Sequence, residues 1–400
     1  MSKISKYSIS KVFLILNQFL WRNPLFQKIK SLYYYIDAVL LFGCKKAEYV
    51  NNGKKKVLVV YNLALGDGVM FYGVSKSMRN IWPQNKFELT VVCQKAFKQL
   101  YEVNGIYDHV IPMDFSGSVV NLAKRKEMFK QLRNVSYDIV FDPVGSEDAT
   151  TNVYVSRAAN GKEKIGVLDI NLRQPLSNRR RKKIYDKIIE IDKPGVHLIE
   201  YYGLTLRKLG ATQCIPEPAH LPEIKANVEL PEKYFIVFPV ASMDVKKWDA
   251  RNYAFIAEKI QNKTGLCLVL CGTNHDRSSI DEMLSYSNKL KYIDVVGKTD
   301  IMQFTSVIGS AELVVTNDTS AYHIAVARNV NTFLICGGYT YDRYAHYDYA
   351  DVGRRNPTLI TQRMECYNCN NHCKYSGYKV FPCIERITKE DAWRQISERI

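Results

Sequence analysis

Short apolar runs, rich in β-branched residues and closed by Gly, Asp or Pro, recur along most of the chain. Val57-Leu58-Val59-Val60, Glu88–Cys93, Asp138–Phe141, Tyr234–Phe238, Leu266–Leu270, Tyr292–Val296, Leu313-Val314-Val315 and Thr332–Cys336 read as buried strands, with Lys164–Val167 a further candidate. Between them, polar and apolar positions alternate at helical spacing: about Val69 to Asn80, His197 to Leu209 with Gly210 behind it, Tyr253 to Gln261, a helix through Asp281–Leu284, residues 300–310, and Ala321 to Arg328. Strand and helix take turns, which predicts parallel sheets built from βαβ units. Residues 213–231 hold Pro216, Pro218, Pro222 and Pro231 with little periodicity, and divide the series as a linker. The expected fold is α/β: two doubly wound Rossmann-like domains, residues 54–212 and 232–400, facing a cleft.

Residues 1–53 break this pattern. Ile9, Val12, Phe13, Leu16, Phe19 and Leu20 recur at helical spacing, and Leu32–Phe42 is apolar and aromatic with Asp37 in its middle. That run is shorter than the roughly 20 apolar residues that span a bilayer. Lysines and arginines there face only Asp37 and Glu48. A basic amphipathic helical extension carrying Trp21 and Tyr33-Tyr34-Tyr35 suits an anionic membrane surface. A helix packed on the body of the protein, or on a second subunit, is the alternative.

Charge sharpens the picture. The formal net charge is +16 over 400 residues, which calls for an anionic partner. Much of the excess sits in residues 1–53 and in a basic loop, 171–187, that includes Arg179-Arg180-Arg181-Lys182-Lys183. The split, and the lack of any nucleic-acid-binding motif, argue against nucleic acid. No secretory signal pattern opens the chain, so a reducing cytoplasm is expected. Of ten cysteines, Cys93, Cys267, Cys271 and Cys336 lie in strand-like runs, while Cys366, Cys369, Cys373 and Cys383 are spaced Cys-x2-Cys-x3-Cys-x9-Cys. Four close thiols are candidates for a structural zinc, for plain reduced thiols, or for disulfides formed after lysis.

Two strand-to-helix turns carry the chemistry. Leu65-Gly66-Asp67-Gly68 follows the first strand, so that Asp67 projects from its carboxyl end. Thr316-Asn317-Asp318-Thr319-Ser320 precedes a helix with His323 on its first turn. Free N–H groups and the positive end of the helix dipole there suit a phosphate. Each stretch alone is an ordinary turn or cap.

Together with two more blocks they resemble glycosyltransferase family 9, the heptosyltransferases of lipopolysaccharide core assembly. The four blocks are Leu65-Gly66-Asp67 through Arg79 to Pro83, Phe238-Pro239-Val240-Ala241-Ser242 through Lys246-Lys247-Trp248, Cys271-Gly272 followed by Asp276, and Asn317-Asp318-Thr319 with His323. Ser320 stands where the family usually has glycine, Gly68 and Gly73 where it has an aliphatic residue and proline, and Asn62 where it often has arginine.

The resemblance implies the two-domain GT-B architecture with an acceptor-side N-terminal domain. It implies inverting, metal-independent transfer from a nucleotide-diphosphate sugar, ADP-heptose first, to a lipopolysaccharide-core or related anionic lipid-linked acceptor. Asp67 would be the catalytic base. Ser242, Lys246, Asp276, Asp318, Thr319, Ser320 and His323 would bind the donor, with Asp276 on a ribose hydroxyl. Arg179, Arg180 and Arg181 would meet the acceptor. No cofactor is required for catalysis on this reading, and many members carry a similar cysteine cluster. The expected location is the cytoplasm, peripheral on the inner membrane. A different sugar donor, or an inactive binding protein of the same shape, is the competing reading.

Overall fold

The computed structural model describes residues 24–50, 53–144, 152–169, 178–241, 243–369, 373–375 and 377–400. Two six-stranded sheets organise them. The first contains β1 (Lys55–Tyr61), β2 (Phe87–Gln94), β3 (His109–Met113), β4 (Ser136–Phe141), β5 (Asn160–Asp169) and β6 (Lys187–Ile191), in the order β3-β2-β1-β4-β5-β6. The second contains β7 (Tyr234–Phe238), β8 (Cys267–Leu270), β9 (Tyr292–Asp294), β10 (Leu313–Asn317), β11 (Asn331–Ile335) and β12 (Thr358–Ile360), in the order β12-β11-β10-β7-β8-β9. Every neighbouring pair is parallel.

Counted from its own first strand, each sheet has the doubly wound order. Each therefore reverses direction once, between β1 and β4 and between β7 and β10, and such a switch point opens a crevice at the strands' carboxyl ends. Helices cover both faces, so the central strands are buried and mostly apolar. Val57–Tyr61 and all of β7 and β10 are buried. Residues 213–230 cross between the sheets without helix or strand. Their backbone lies directly on Gly73, where a Cβ would stand 2.2 Å from the Glu217 carbonyl oxygen. Glycine at that position is a packing requirement.

The N-terminal helix, Pro24–Phe42, is not a separate unit. Asp37 is buried and takes a two-pronged ion pair from buried Arg125, with Nε to Oδ1 at 2.6 Å and Nη2 to Oδ2 at 2.7 Å. The Arg125 guanidinium lies 4.1 Å from the Tyr154 ring centre. Arg133 Nη1 donates to the carbonyls of Leu41 and Cys44, both at 2.6 Å. Leu41 and Cys44 join a core of Phe115, Met128, Phe129, Leu132 and Tyr154. The inner face of the helix thus packs on the body. Among the described residues no helix is long and apolar enough to cross a membrane.

Candidate active site

The first expectation to change concerns Asp67. The helix after β1 runs Leu65–Ser75, so it opens before Val69 and puts Asp67 on its first turn instead of on the strand end. The start is fixed by a contact from the other domain. A Cβ on Gly66 would stand 2.7 Å from His323 Cδ2 and 3.5 Å from the Ser320 Cα. Two helix N-termini, one from each domain, therefore come into close contact, and glycine is what lets them. Tyr61 fixes the turn from below: its hydroxyl donates to the Asp67 carbonyl at 2.8 Å and lies 2.7 Å from the Tyr202 hydroxyl.

Opposite Asp67 stands the helix Ser320–Ala327, with Thr319 at its N-cap. The Thr319 side chain makes no capping hydrogen bond; its hydroxyl lies 3.5 Å from that of Thr316. The first amides of this helix keep their donor capacity for a ligand. Lys246, on a short 3₁₀ turn Asp244–Lys246, extends its Nζ to Asp318 Oδ2 at 3.0 Å. Lys247 turns away, onto Glu282 at 2.6 Å. The loop bearing Lys246 is anchored by buried Trp248, whose Nε1 donates to the Ile387 carbonyl at 2.8 Å, and by Asn317, whose side-chain amide donates to the Val240 carbonyl at 3.2 Å.

Asp67, Lys246, Asp276, Asp318, Thr319, Ser320 and His323 all line one cleft of about 700 Å³ between the domains. Ser242 lies outside the described residues. Asp276 reaches the cleft with Oδ2 engaged by the Thr273 amide at 2.7 Å and its hydroxyl at 2.8 Å. His323 shares Nδ1 with the Tyr347 hydroxyl at 2.8 Å and turns Nε2 toward Asp318 Oδ1 at 3.9 Å.

Charge states in the cleft follow from burial and neighbours. Burial pushes the Asp67 carboxyl up to about 6; Lys246 and Arg343 pull it down, and Asp318 pushes it further up. Burial would also raise Asp318, but Lys246, His323 and Thr340 hold it below the usual carboxylate range. Burial lowers His323 to about 4, so it is neutral at pH 7 and serves as a hydrogen-bonding wall, not a cation. The result is a fixed Lys246–Asp318 ion pair facing a carboxylate that exchanges its proton near neutrality.

Residues 341–345 bring groups that the sequence pattern did not single out. Tyr344 lines the cleft. Arg343 crosses to the other domain, forming a buried ion pair with Asp169 at the end of β5 and donating to the Val196 carbonyl at 3.2 Å. Phe238 and Phe304, ring centres 6.0 Å apart, form an apolar wall of the cleft that also holds Asp276. The Gly337-Gly338 ending of β11 marks where this segment begins, but nothing in its composition announces which residue crosses the cleft.

Arg179, Arg180 and Arg181 do not line the cleft. Arg181 is buried, which removes it from reach of an acceptor, and the Arg180 guanidinium lies 4.9 Å from the Tyr34 ring centre on the N-terminal helix. Arg179 alone of the three is exposed.

The four clustered cysteines sit elsewhere in the C-terminal domain. Burial pushes the Cys369 thiol up to about 11, and Cys373, Cys366 and Cys383 add to the rise, so the four are neighbours. Yet among the described residues no three His, Cys, Asp or Glu side chains stand close enough together to hold a metal ion. The donor chemistry of four thiols suits zinc. Zinc and iron content of protein purified without chelator decides between four thiols and a closed site.

Lys246→Ala should weaken a bound nucleoside diphosphate by about 1.5–3 kcal/mol, the scale of a hydrogen bond to a charged group. Lys247→Ala should leave the affinity unchanged, because its charge is spent on Glu282 at the surface. Calorimetric titration with ADP reads both.

Residues 125–337 match the sequence profile of glycosyltransferase family 9 (heptosyltransferase). The chain is 22% identical over 292 residues to lipopolysaccharide heptosyltransferase 2 of Salmonella typhimurium, covering 68% of this chain and 80% of that one. Its fold is similar to a family 9 glycosyl transferase from Veillonella parvula (TM-score 0.68, 16% identity, 88% of this chain and 98% of that one). It is also similar to E. coli heptosyltransferase WaaC with ADP (TM-score 0.60, 19% identity, 86% of this chain and 97% of that one).

Proposed function

The chain belongs to glycosyltransferase family 9, and on that footing we propose that it transfers heptose from ADP-heptose to a lipopolysaccharide-core or related glycolipid acceptor, with inversion at the anomeric carbon. The observation that carries this reading is the pairing across one cleft of Asp67, with its pKa near 6, and the uncapped helix N-terminus beside Lys246. The names of its relatives support the donor: the Salmonella protein is a heptosyltransferase, and the E. coli structure holds ADP.

In this mechanism the donor diphosphate lies against Lys246 and the first amides of the Ser320–Ala327 helix. The nucleobase rests on the Phe238–Phe304 wall, and Asp276 accepts from a ribose hydroxyl. The acceptor hydroxyl enters from the Asp67 side. Its oxygen bonds to the anomeric carbon as the bond from that carbon to the phosphate oxygen breaks. The hydroxyl proton passes to Asp67, and the electron pair of the broken bond goes to the diphosphate. Lys246 and the helix amides are preorganised for that growing charge, the part a metal ion plays in other transferases. In this reading Asp318 holds Lys246 in place through Oδ2 at 3.0 Å.

Ser320 favours a second reading, a related nucleotide-sugar, because it adds a hydroxymethyl group to the cleft wall where the family usually has glycine. A thermal-stability screen of nucleotide-sugars tests both. A ligand at 100 times its dissociation constant adds about 2.7 kcal/mol. ADP-heptose is expected to stabilise most; stabilisation by no nucleotide-sugar would sink the proposal.

A further inference from the structure

The described part of the N-terminal extension and the basic turn Asn178–Arg181 lie against each other. The turn Asn178–Arg181 is fastened to the N-terminal helix through Tyr34, whose ring lies 3.9 Å from the Arg157 guanidinium and 4.9 Å from that of Arg180. Tyr34 also packs on Val153, Ile184 and Tyr185. Beside this junction Arg179, Lys182 and Lys183 are exposed, and Lys45 and Lys46 are exposed just past the helix's far end.

Between these charges runs an apolar stripe. Leu32, Tyr35, Val39 and Phe42 are 53%, 60%, 74% and 95% exposed. Their spacing gathers them on one side of a helix, within about a quarter turn, while Asp37 and Leu41 fall on the opposite side. Asp37 is the one carboxylate in the helix, and Arg125 holds it in the interior. The outer face therefore shows large apolar side chains flanked by cations.

We infer that this face is a docking surface for an anionic phospholipid leaflet, with the N-terminal helix lying flat in the interface. An amphipathic helix with basic flanks inserts its apolar stripe among the acyl chains and sets its cations against the headgroups. The same face makes a poor self-interface. A two-fold contact would bring two copies of Arg179, Lys182 and Lys183 together in a molecule already at +16. The inference is independent of the transfer reaction, because none of these residues lines the cleft.

The test is flotation of the full-length protein with vesicles of phosphatidylglycerol and phosphatidylethanolamine, beside vesicles of phosphatidylcholine alone. The wild type should float with the anionic vesicles at low salt and be released from them by high salt, and should not float with phosphatidylcholine. The double variant Val39→Ser/Phe42→Ser should partition about tenfold less or weaker still, the factor expected from a large apolar side chain leaving a nonpolar phase. Its melting temperature and ADP affinity should match the wild type, since both side chains are exposed and neither lines the cleft. The inference is overturned if wild type ignores anionic vesicles at low salt, or if the double variant floats as well as wild type. A wild-type dimer that the double variant dissociates in the absence of lipid would also overturn it, by assigning the stripe to a second copy.

Discussion

Asp67→Asn should lower turnover by roughly 10²–10⁴ and leave both the fold and the affinity for ADP in place. The substitution keeps the shape of the side chain and removes its capacity to take a proton. The remaining charges of the cleft, Lys246 paired with Asp318, are untouched. The same group sets two opposing pH profiles. Its folded pKa of about 6 stands above the ordinary 3.8, so the folded protein binds this proton more tightly than the unfolded chain does. Stability contributed here is present below about pH 4 and is lost as pH rises to about 6, a loss on the order of 2 kcal/mol for a half-buried group. Turnover moves the other way: kcat/KM rises with pH through about 6 and levels above it. Asp67→Asn should therefore be the more stable protein at pH 7, and its stability should lack the wild-type decline between pH 4 and 6. Denaturant titrations at several pH values and initial rates on the same samples read both profiles. A variant that keeps near-normal turnover would take Asp67 out of the mechanism.

Asp37→Ala should cost about 3–5 kcal/mol, the scale of removing one partner of a buried ion pair. Arg125 is enclosed by Tyr154 and Phe129 and would be left without the carboxylate that neutralises it. The loss should appear as global destabilisation in urea, or as proteolytic cutting near residues 43–53 as the helix undocks. Asp37→Leu combined with Arg125→Met should recover most of it, because two apolar side chains replace two desolvated charges. A loss below about 1 kcal/mol for Asp37→Ala would show that the helix docks by its apolar contacts alone. Removing residues 1–53 altogether takes away Leu41, Cys44 and the Asp37 partner of Arg125 and uncovers the core they pack on, so activity should fall with stability. Membrane and catalytic roles are separated by outer-face substitutions instead.

The fold was readable because its strands are apolar through and through. Val57–Val60, Tyr234–Phe238 and Leu313–Val315 are buried on both sides, and each is followed by a helix. Edge strands were harder. β3, with Pro112 in it, pairs on one side only, and β6 alternates exposed and buried residues within a charged stretch. The four motif blocks located the cleft residues because each is local. What stayed hidden was set by long-range partners. The helix start at Leu65 depends on Gly66 meeting His323. The pairs Arg343–Asp169 and Arg125–Asp37 join residues 174 and 88 positions apart. Charge composition alone could not tell a buried Arg181 from an exposed Arg179, nor that none of the three arginines lines the cleft.

The central claim is a single displacement, with Asp67 taking the acceptor proton while Lys246 and the facing helix receive the diphosphate. The most direct measurement is the anomeric configuration of the new linkage, read by nuclear magnetic resonance on the product formed from ADP-heptose of known configuration. One displacement from the face opposite the leaving group inverts that carbon, so the product should carry the anomer opposite to the donor's. A product with the donor's own configuration would require an enzyme nucleophile or a front-side attack, and would contradict the assignment of Asp67 as the base of a direct transfer.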